Sequence, residues 1–245
     1  LPEDKVATLN VDNEIVYMLP SGVAIHQYDG EMIGFKGENV DFLVTPEHKL
    51  WVSIRRTRKK VWGEFESKTA EDVFNNYSPE HVRVRKDALW TLGSTPYSID
   101  WFELFGFLLA EGSSEQSGAI VISNNDEEYV LDLLHRNNLS ATIQSNGCQF
   151  RINKKDAANS ALHRHFSPLG RSYEKYIPNE IKNAPPQHLR ALLDGFVIGD
   201  GNVYKGTVRL YTSSKQLAND LQEVAIKAGC VASLNSRDRT GTTRI

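Results

Sequence analysis

Two acids stand where a folded chain has little electrostatic use for them. "WFELFGFLLAEG" (101–112) ends in Glu111-Gly112, and "LLDGFVIGDG" (192–201) ends in Asp200-Gly201. Both runs read as buried helices, and a carboxylate at a helix C-terminus faces partial negative charge already present there. One such residue is an ordinary solvated helix end; two in the same register call for a joint explanation. Suppose the helices pack, with Phe105, Gly106 and Ala110 facing Asp194, Gly195 and Gly199; the small residues would let the backbones approach and the two acids would meet. Two neighbouring carboxylates raise each other's proton affinity. A hard divalent cation, Mg²⁺ or Mn²⁺, relieves that repulsion through oxygen ligands. Near a phosphate, such an ion activates water and stabilises the leaving oxygen.

The elements that must position these acids form an internal repeat. A shift of 89 residues places Glu111 on Asp200, Ile122 on Tyr211 and Ser123-Asn124-Asn125 on Thr212-Ser213-Ser214. In each copy a strand follows the acid ("GAIVISNN" or "GTVRLYTSS"), then an amphipathic helix ("DEEYVLDLLHRNN" or "KQLANDLQEVAIKAG"), then a closing strand ("SATIQ" or "VASLN"). In the first copy Asn146-Gly147 predicts a type I′ hairpin into "CQFRIN". Asp100 with Glu103 predicts a capping box for a helix beginning at Trp101. Gly112 reads as a left-handed C′ residue, and Pro185-Pro186 suits a helical first turn.

Residues 1–97 have a different texture. "KVATLN", "EIVYML", "VAIHQY", "EMIGF", "DFLVT" and "KLWVSI" are short apolar runs between turn signals, predicting a small all-β module with one helix at 67–76. The fold class is therefore α+β: an all-β part at 1–97, then two related units at about 98–170 and 171–245.

Composition sets outer limits. The chain of 245 residues is 40% hydrophobic and 24% charged, with net charge -3. The acidic balance counts against a uniformly basic nucleic-acid binder, although "RRTRKK" (55–60) concentrates positive charge beside Trp51 and Trp62. Cys148 and Cys230 have no paired spacing, which excludes a zinc knuckle or a disulfide framework. With no bilayer-length apolar run and no signal peptide, the expected setting is cytoplasmic and reducing, with no membrane partner.

"LFGFLLAEG" (104–112) and "LDGFVIGDG" (193–201) resemble the paired LAGLIDADG motifs of homing endonucleases. "KYIP" (175–178) is similar to the Lys-x-Ile-Pro element that precedes the second motif in intein endonucleases. "VTPEHKLWV" (44–52), with Thr45 and His48 three apart, resembles an intein splicing motif, and residues 1–97 resemble part of a Hint module. The resemblance implies a pseudo-symmetric αββαββα-type endonuclease domain, monomeric, cutting a double-stranded DNA target and embedded between host exteins. It implies Glu111 and Asp200 as metal-binding catalytic acids, with Mg²⁺ or Mn²⁺ as cofactor, and Lys175 as the residue that polarises water or stabilises the phosphorane. It implies a four-stranded saddle in each repeat, with Arg151, Lys154, Lys155, Lys205 and Arg209 as candidate DNA contacts. Thr45 and His48 would assist the first acyl shift of splicing. His26, His81, His135, His163, His165 and His188 have no comparable context and read as structural or surface residues.

The chain departs from that pattern in three ways. Glu111 replaces the usual Asp; Leu109 and Ile198 occupy the motif's non-catalytic acid position; and Leu1 and "TGTTRI" stand where splice junctions would be, so splicing is not expected of the sequence as written. Two alternatives remain open: a catalytically inactive DNA- or RNA-binding, maturase-like module, and a splicing element with a decayed endonuclease.

Overall fold

The computed structural model describes residues 4–37, 40–56, 61–145 and 147–235. These fall into two compact units, one from the described residues of Leu1–Thr8, Val16–Asp87 and Ala232–Ile245, the other from Leu9–Ile15 and Ala88–Val231. Residues 57–60 of the basic run, Asn146 and the C-terminal "TGTTRI" lie outside the described residues.

The first part of the chain is mostly β-structure: β1 (Val6–Leu9), β2 (Ile15–Met18), β3 (Ile33–Gly37), β4 (Val40–Val44), β5 (Lys49–Arg56), β6 (Val61–Thr69), α1 (Ala70–Asn76) and β7 (Val82–Val84). β1 pairs with β2, β3 with β4, and β5 lies between β6 and β7. The β3–β4 register sets Phe35 opposite Phe42, their ring centroids 5.2 Å apart. Thr69 caps α1 by accepting the Asp72 N–H at 3.2 Å, the kind of bond that satisfies one orphan donor of a helix start. Only Val52, Ser53, Ala70 and Val73 are buried among the described residues of the first unit. The strand expected in "VAIHQY" is not formed: residues 23–28 have no regular structure and Ile25 is 91% exposed. β-Branched residues favour a strand only where neighbours give them something to pack on.

The second unit holds a continuous core. Its elements are α2 (Ile99–Glu111), β8 (Gly112–Ser114), β9 (Ile120–Ser123), α3 (Glu127–Arg136), β10 (Ala141–Ile143), β11 (Gln149–Ile152), α4 (Lys154–Asn159), α5 (Leu162–Phe166), α6 (Asn179–Lys182), α7 (Pro186–Asp200), β12 (Gly201–Tyr204), β13 (Thr207–Leu210) and α8 (Lys215–Lys227). The order helix, strand, strand, helix thus occurs in α2-β8-β9-α3 and again in α7-β12-β13-α8. The first set closes into an antiparallel sheet ordered β10-β11-β9-β8, whose Ile120, Ile122, Phe150 and Ile152 are buried.

Four expectations need correction here. α2 is capped by Ser98, whose Oγ accepts the Trp101 N–H at 3.1 Å, rather than by Asp100 and Glu103. Those two acids instead bind the Arg136 guanidinium on α3. Gly112 is not left-handed: at φ -90° it is extended and leads straight from helix into strand, as Gly201 does at φ -112°. "VASLN" (231–235) forms no strand, and among the described residues the second set has β12 and β13 alone where the first has four strands. α7 is also less enclosed than expected, with Asp194 exposed and Ile198 47% exposed.

Candidate functional site

Two helices crossing at glycines build the site. A Cβ at Gly106 would lie 1.9 Å from the Leu192 carbonyl oxygen, and one at Gly195 would lie 2.0 Å from that of Glu103. Backbones this close leave no room for any side chain. Gly106 therefore meets Leu192, and Gly195 meets Glu103 and Phe107, while the expected partner Asp194 points away. Further along, Gly199 packs on Ala110 and Glu111, its absent Cβ only 2.5 Å from the Ala110 methyl. Phe102, Phe105, Phe107 and Phe196 are fully buried around the pair; burying each stabilises the fold by about 1.5–3 kcal/mol.

This crossing carries Glu111 and Asp200, the last residues of α2 and α7, to one end. Glu111 is half-buried and Asp200 more exposed. Burial raises the Glu111 pKa, and the charge of Asp200 raises it further; a hydrogen bond from Asn124 and the charge of Lys175 act the other way. Burial also raises the Asp200 pKa, opposed by Lys175. Each acid precedes a strand pair of the same build, Gly112 opposite Ile122 in one and Gly201 opposite Leu210 in the other. The Tyr211 N–H fixes the Asp200 carbonyl at 3.0 Å.

Lys175, 4% exposed, feels the charge of both acids. Its Nζ donates to the carbonyls of Leu109 and Gly112 at 2.8 Å and approaches that of Leu108 at 3.4 Å. The ammonium thus occupies the negative end of α2, where orphan carbonyls and the dipole both favour a cation. Its ring neighbour is Phe166, with Nζ 5.5 Å from the centroid. Burial lowers its pKa to about 8, with Asp200 and Glu111 opposing the fall. The strand-to-helix loop before α8 holds Lys175 from behind, since Ser214 Oγ donates to the Lys175 carbonyl at 2.6 Å.

Among the described residues there is no group of three or more His, Cys, Asp or Glu side chains able to hold a metal. The donors available are two carboxylates on adjacent helix ends. That set suits an ion that keeps several waters and binds through one or two carboxylates plus a phosphate, as Mg²⁺ does, rather than zinc.

The remaining candidates are dispersed. Arg151 lies on β11, where its guanidinium pairs with Glu115 at 2.9 Å and reaches Ser117. Lys154 and Lys155 open α4, just after β11. Lys205 forms the β12–β13 turn with Gly206, both at positive φ, and Arg209 is exposed on β13. Thr45 and His48 are the first and last residues of the turn joining β4 to β5; the His48 N–H donates to the Thr45 carbonyl at 3.0 Å, and His48 is exposed. Asn124 and Ser214 escaped the sequence reading as site residues. The one signal for them was their place in the two aligned polar clusters after the first strands.

Comparison with known proteins bears on this site directly. The chain is 24% identical, over 95% of its length, to an ATP-dependent Clp protease proteolytic subunit of Chlamydomonas moewusii, of which it covers 26%. Over 89% of its length it is 25% identical to an iron-sulfur cluster assembly SufBD family protein of Mycobacterium tuberculosis, of which it covers 29%. The chain therefore spans little more than a quarter of these relatives. Residues 187–245, which carry nearly all of α7, with Asp200, β12, β13 and α8, match the LAGLIDADG-like domain model.

Proposed function

We propose that the chain is an intein-type LAGLIDADG homing endonuclease joined to part of a Hint splicing domain, and that it hydrolyses both strands of a specific DNA site with a divalent metal. The observation that carries the proposal is the juxtaposition of Glu111 and Asp200 by a helix crossing that admits only glycine. In this reading α2-β8-β9-α3 and α7-β12-β13-α8 descend from one duplicated unit, and each supplies one acid. The relatives add support: one element aligns along most of its length with about a quarter of proteins whose names denote unrelated activities. That pattern suits an insertion shared by different hosts.

The residues divide the work as follows. Glu111 and Asp200 hold the cation, which when bound supplies Lewis acidity and a water of lowered pKa. Raised carboxylate pKa values mean that both acids gain from a cation. Lys175 fixes the α2 terminus and places a positive charge beside the scissile phosphates. Arg209 and Lys205 on the exposed hairpin contact the DNA backbone, with Lys154, Lys155 and Arg151 on the other half. Thr45 and His48 belong to the splicing part, their turn poised to polarise a peptide bond presented by the precursor.

A binding-only, maturase-like reading has one observation in its favour: the Lys175 ammonium already offsets the paired acids without a metal. Incubating the protein and Mg²⁺ with DNA encoding the uninterrupted host sequence of a relative separates the two. Site-specific double-strand cutting, abolished by Glu111→Gln and Asp200→Asn, is the expected outcome. Binding without any metal-dependent nicking would establish the alternative.

A further inference from the structure

α8 carries an acid that its own packing does not call for. Asp220 is 2% exposed and shares the buried face of α8 with Leu217, Leu221 and Val224. The 89-residue shift places it on Leu131 of α3, which is 38% exposed, so the first half does without a buried carboxylate there. Burying a carboxylate is costly unless hydrogen bonds satisfy it. Asp220 Oδ2 accepts the Ile177 N–H at 2.8 Å, while Oδ1 accepts Lys182 Nζ at 2.9 Å and Gln216 Nε2 at 3.0 Å.

The bond from Ile177 matters for what lies two residues before it. Residues 175–178 belong to neither helix nor strand, so no hydrogen-bond ladder of their own fixes their backbone. α8 fixes it at two points instead. Ser214 Oγ donates to the Lys175 carbonyl at 2.6 Å, and Asp220 takes the Ile177 N–H. Tyr176 between them is 37% exposed, whereas Lys175 and Ile177 are buried. From this held backbone the Lys175 ammonium reaches the carbonyls of Leu109 and Gly112 at the end of α2. Lys182 also pairs with Glu223 at 2.9 Å, so removing Asp220 still leaves it a counter-charge.

We propose that Asp220 is a positioning residue for Lys175: its carboxylate grips the backbone at Ile177, and that grip keeps the ammonium seated on the C-terminus of α2. The consequence for DNA cutting rests on the endonuclease reading; the consequence for the seating of Lys175 does not. The test compares the full chain with Asp220→Ala and with Asp220→Asn, which still offers an oxygen to the Ile177 N–H. Acetylation by an N-hydroxysuccinimide ester, followed site by site by mass spectrometry, reports how often each lysine amine comes free. Exposed Lys205 calibrates the reagent, and Lys227, whose side chain is fully buried, reports general unfolding.

The expected result is that Asp220→Ala speeds acetylation of Lys175 about 10–100-fold relative to Lys205, the effect of losing one buried hydrogen bond to a charged group on a local opening. Asp220→Asn stays within a few-fold of the wild type, and Lys227 stays protected in both. Unchanged labelling of Lys175 in Asp220→Ala overturns the proposal, as does an Asp220→Asn that labels as fast as Asp220→Ala. An equal rise at Lys227 marks a general packing role and overturns it too. In DNA cutting, Asp220→Ala slows the wild type but adds nothing in a Lys175→Met background; independent slowing in that background overturns action through Lys175. If the wild type does not cut, the endonuclease reading fails, and the labelling alone decides the role of Asp220.

Discussion

Lys175 meets opposing demands at a single atom: burial disfavours its charge, while two carboxylates and three carbonyls favour it. Its pKa near 8 is the balance, well below the 10.5 of a solvated lysine. The folded chain therefore releases this proton at lower pH than the unfolded chain does. Between about pH 8 and 10.5 the unfolded state binds more protons, so this residue makes stability rise with pH there; below 8 the cost of burying the charge is fully present. Lys175→Met should remove that rise, seen as a flatter difference in urea-unfolding free energy between pH 7 and 10. It should also destabilise the fold at neutral pH by about 2–4 kcal/mol, because the α2 carbonyls lose their donor and the acids their counter-charge. An unchanged stability at both pH values would show that the ammonium is not seated on those carbonyls.

At the scale of elements, the site depends on how closely α2 and α7 approach. Gly106→Ala places a methyl against the Leu192 backbone, which cannot rotate away as a side chain could. The helices must separate, costing about 1–3 kcal/mol as overpacking does, and thermal unfolding should show a lower Tm. The far end of α2 is held by a second cluster. Tyr97 stacks on Trp101 at 4.3 Å and meets His165 Nε2 at 2.8 Å, while His165 Nδ1 pairs with Glu180 at 2.9 Å. Burial lowers the His165 pKa from 6.5, Arg164 lowers it as well, and Glu180 opposes them. A folded-state pKa below the unfolded one means that protons favour unfolding as pH drops beneath 6.5. Replacing His165 with Gln should flatten the acid limb of the stability profile; an unaltered limb between pH 5 and 7 would exclude this origin.

At the scale of the whole molecule, a net charge of -3 leaves little long-range attraction for DNA, so under the proposed function affinity rests on local basic groups. The structure ranks them. Arg209 is exposed on β13 and Lys205 caps its hairpin, whereas the Arg151 guanidinium already pairs with Glu115. Arg209→Ala should weaken DNA binding and reduce the slope of log affinity against log salt by about 1, as loss of one phosphate contact does. Arg151→Ala should change the slope less, since its charge is offset in the free protein. Fluorescence anisotropy across a salt series decides this, and a larger slope change for Arg151 would reverse the ranking.

Much of the site was legible because it rests on local pattern. Apolar runs ending in an acid and glycine, repeated at a fixed shift, place Glu111 and Asp200 at matching helix ends whatever surrounds them. α1, α3, α8 and most strands followed from periodicity and turn residues in the same way. What the local pattern could not carry was choice of partner. The capping acids Asp100 and Glu103 were drawn to Arg136, 33 to 36 residues away, leaving Ser98 to cap α2. "VAIHQY" and "VASLN" had strand-like composition, but a strand exists only where another edge pairs with it. The sequence by itself determined that Glu111 and Asp200 end two mostly apolar helices, because spacing along a helix is a local property. Only the tertiary structure decided that Lys175 caps α2 and that Ser214 fixes the Lys175 carbonyl. Those contacts join residues far apart in the chain, and the geometry of the close-packed helix crossing sets them.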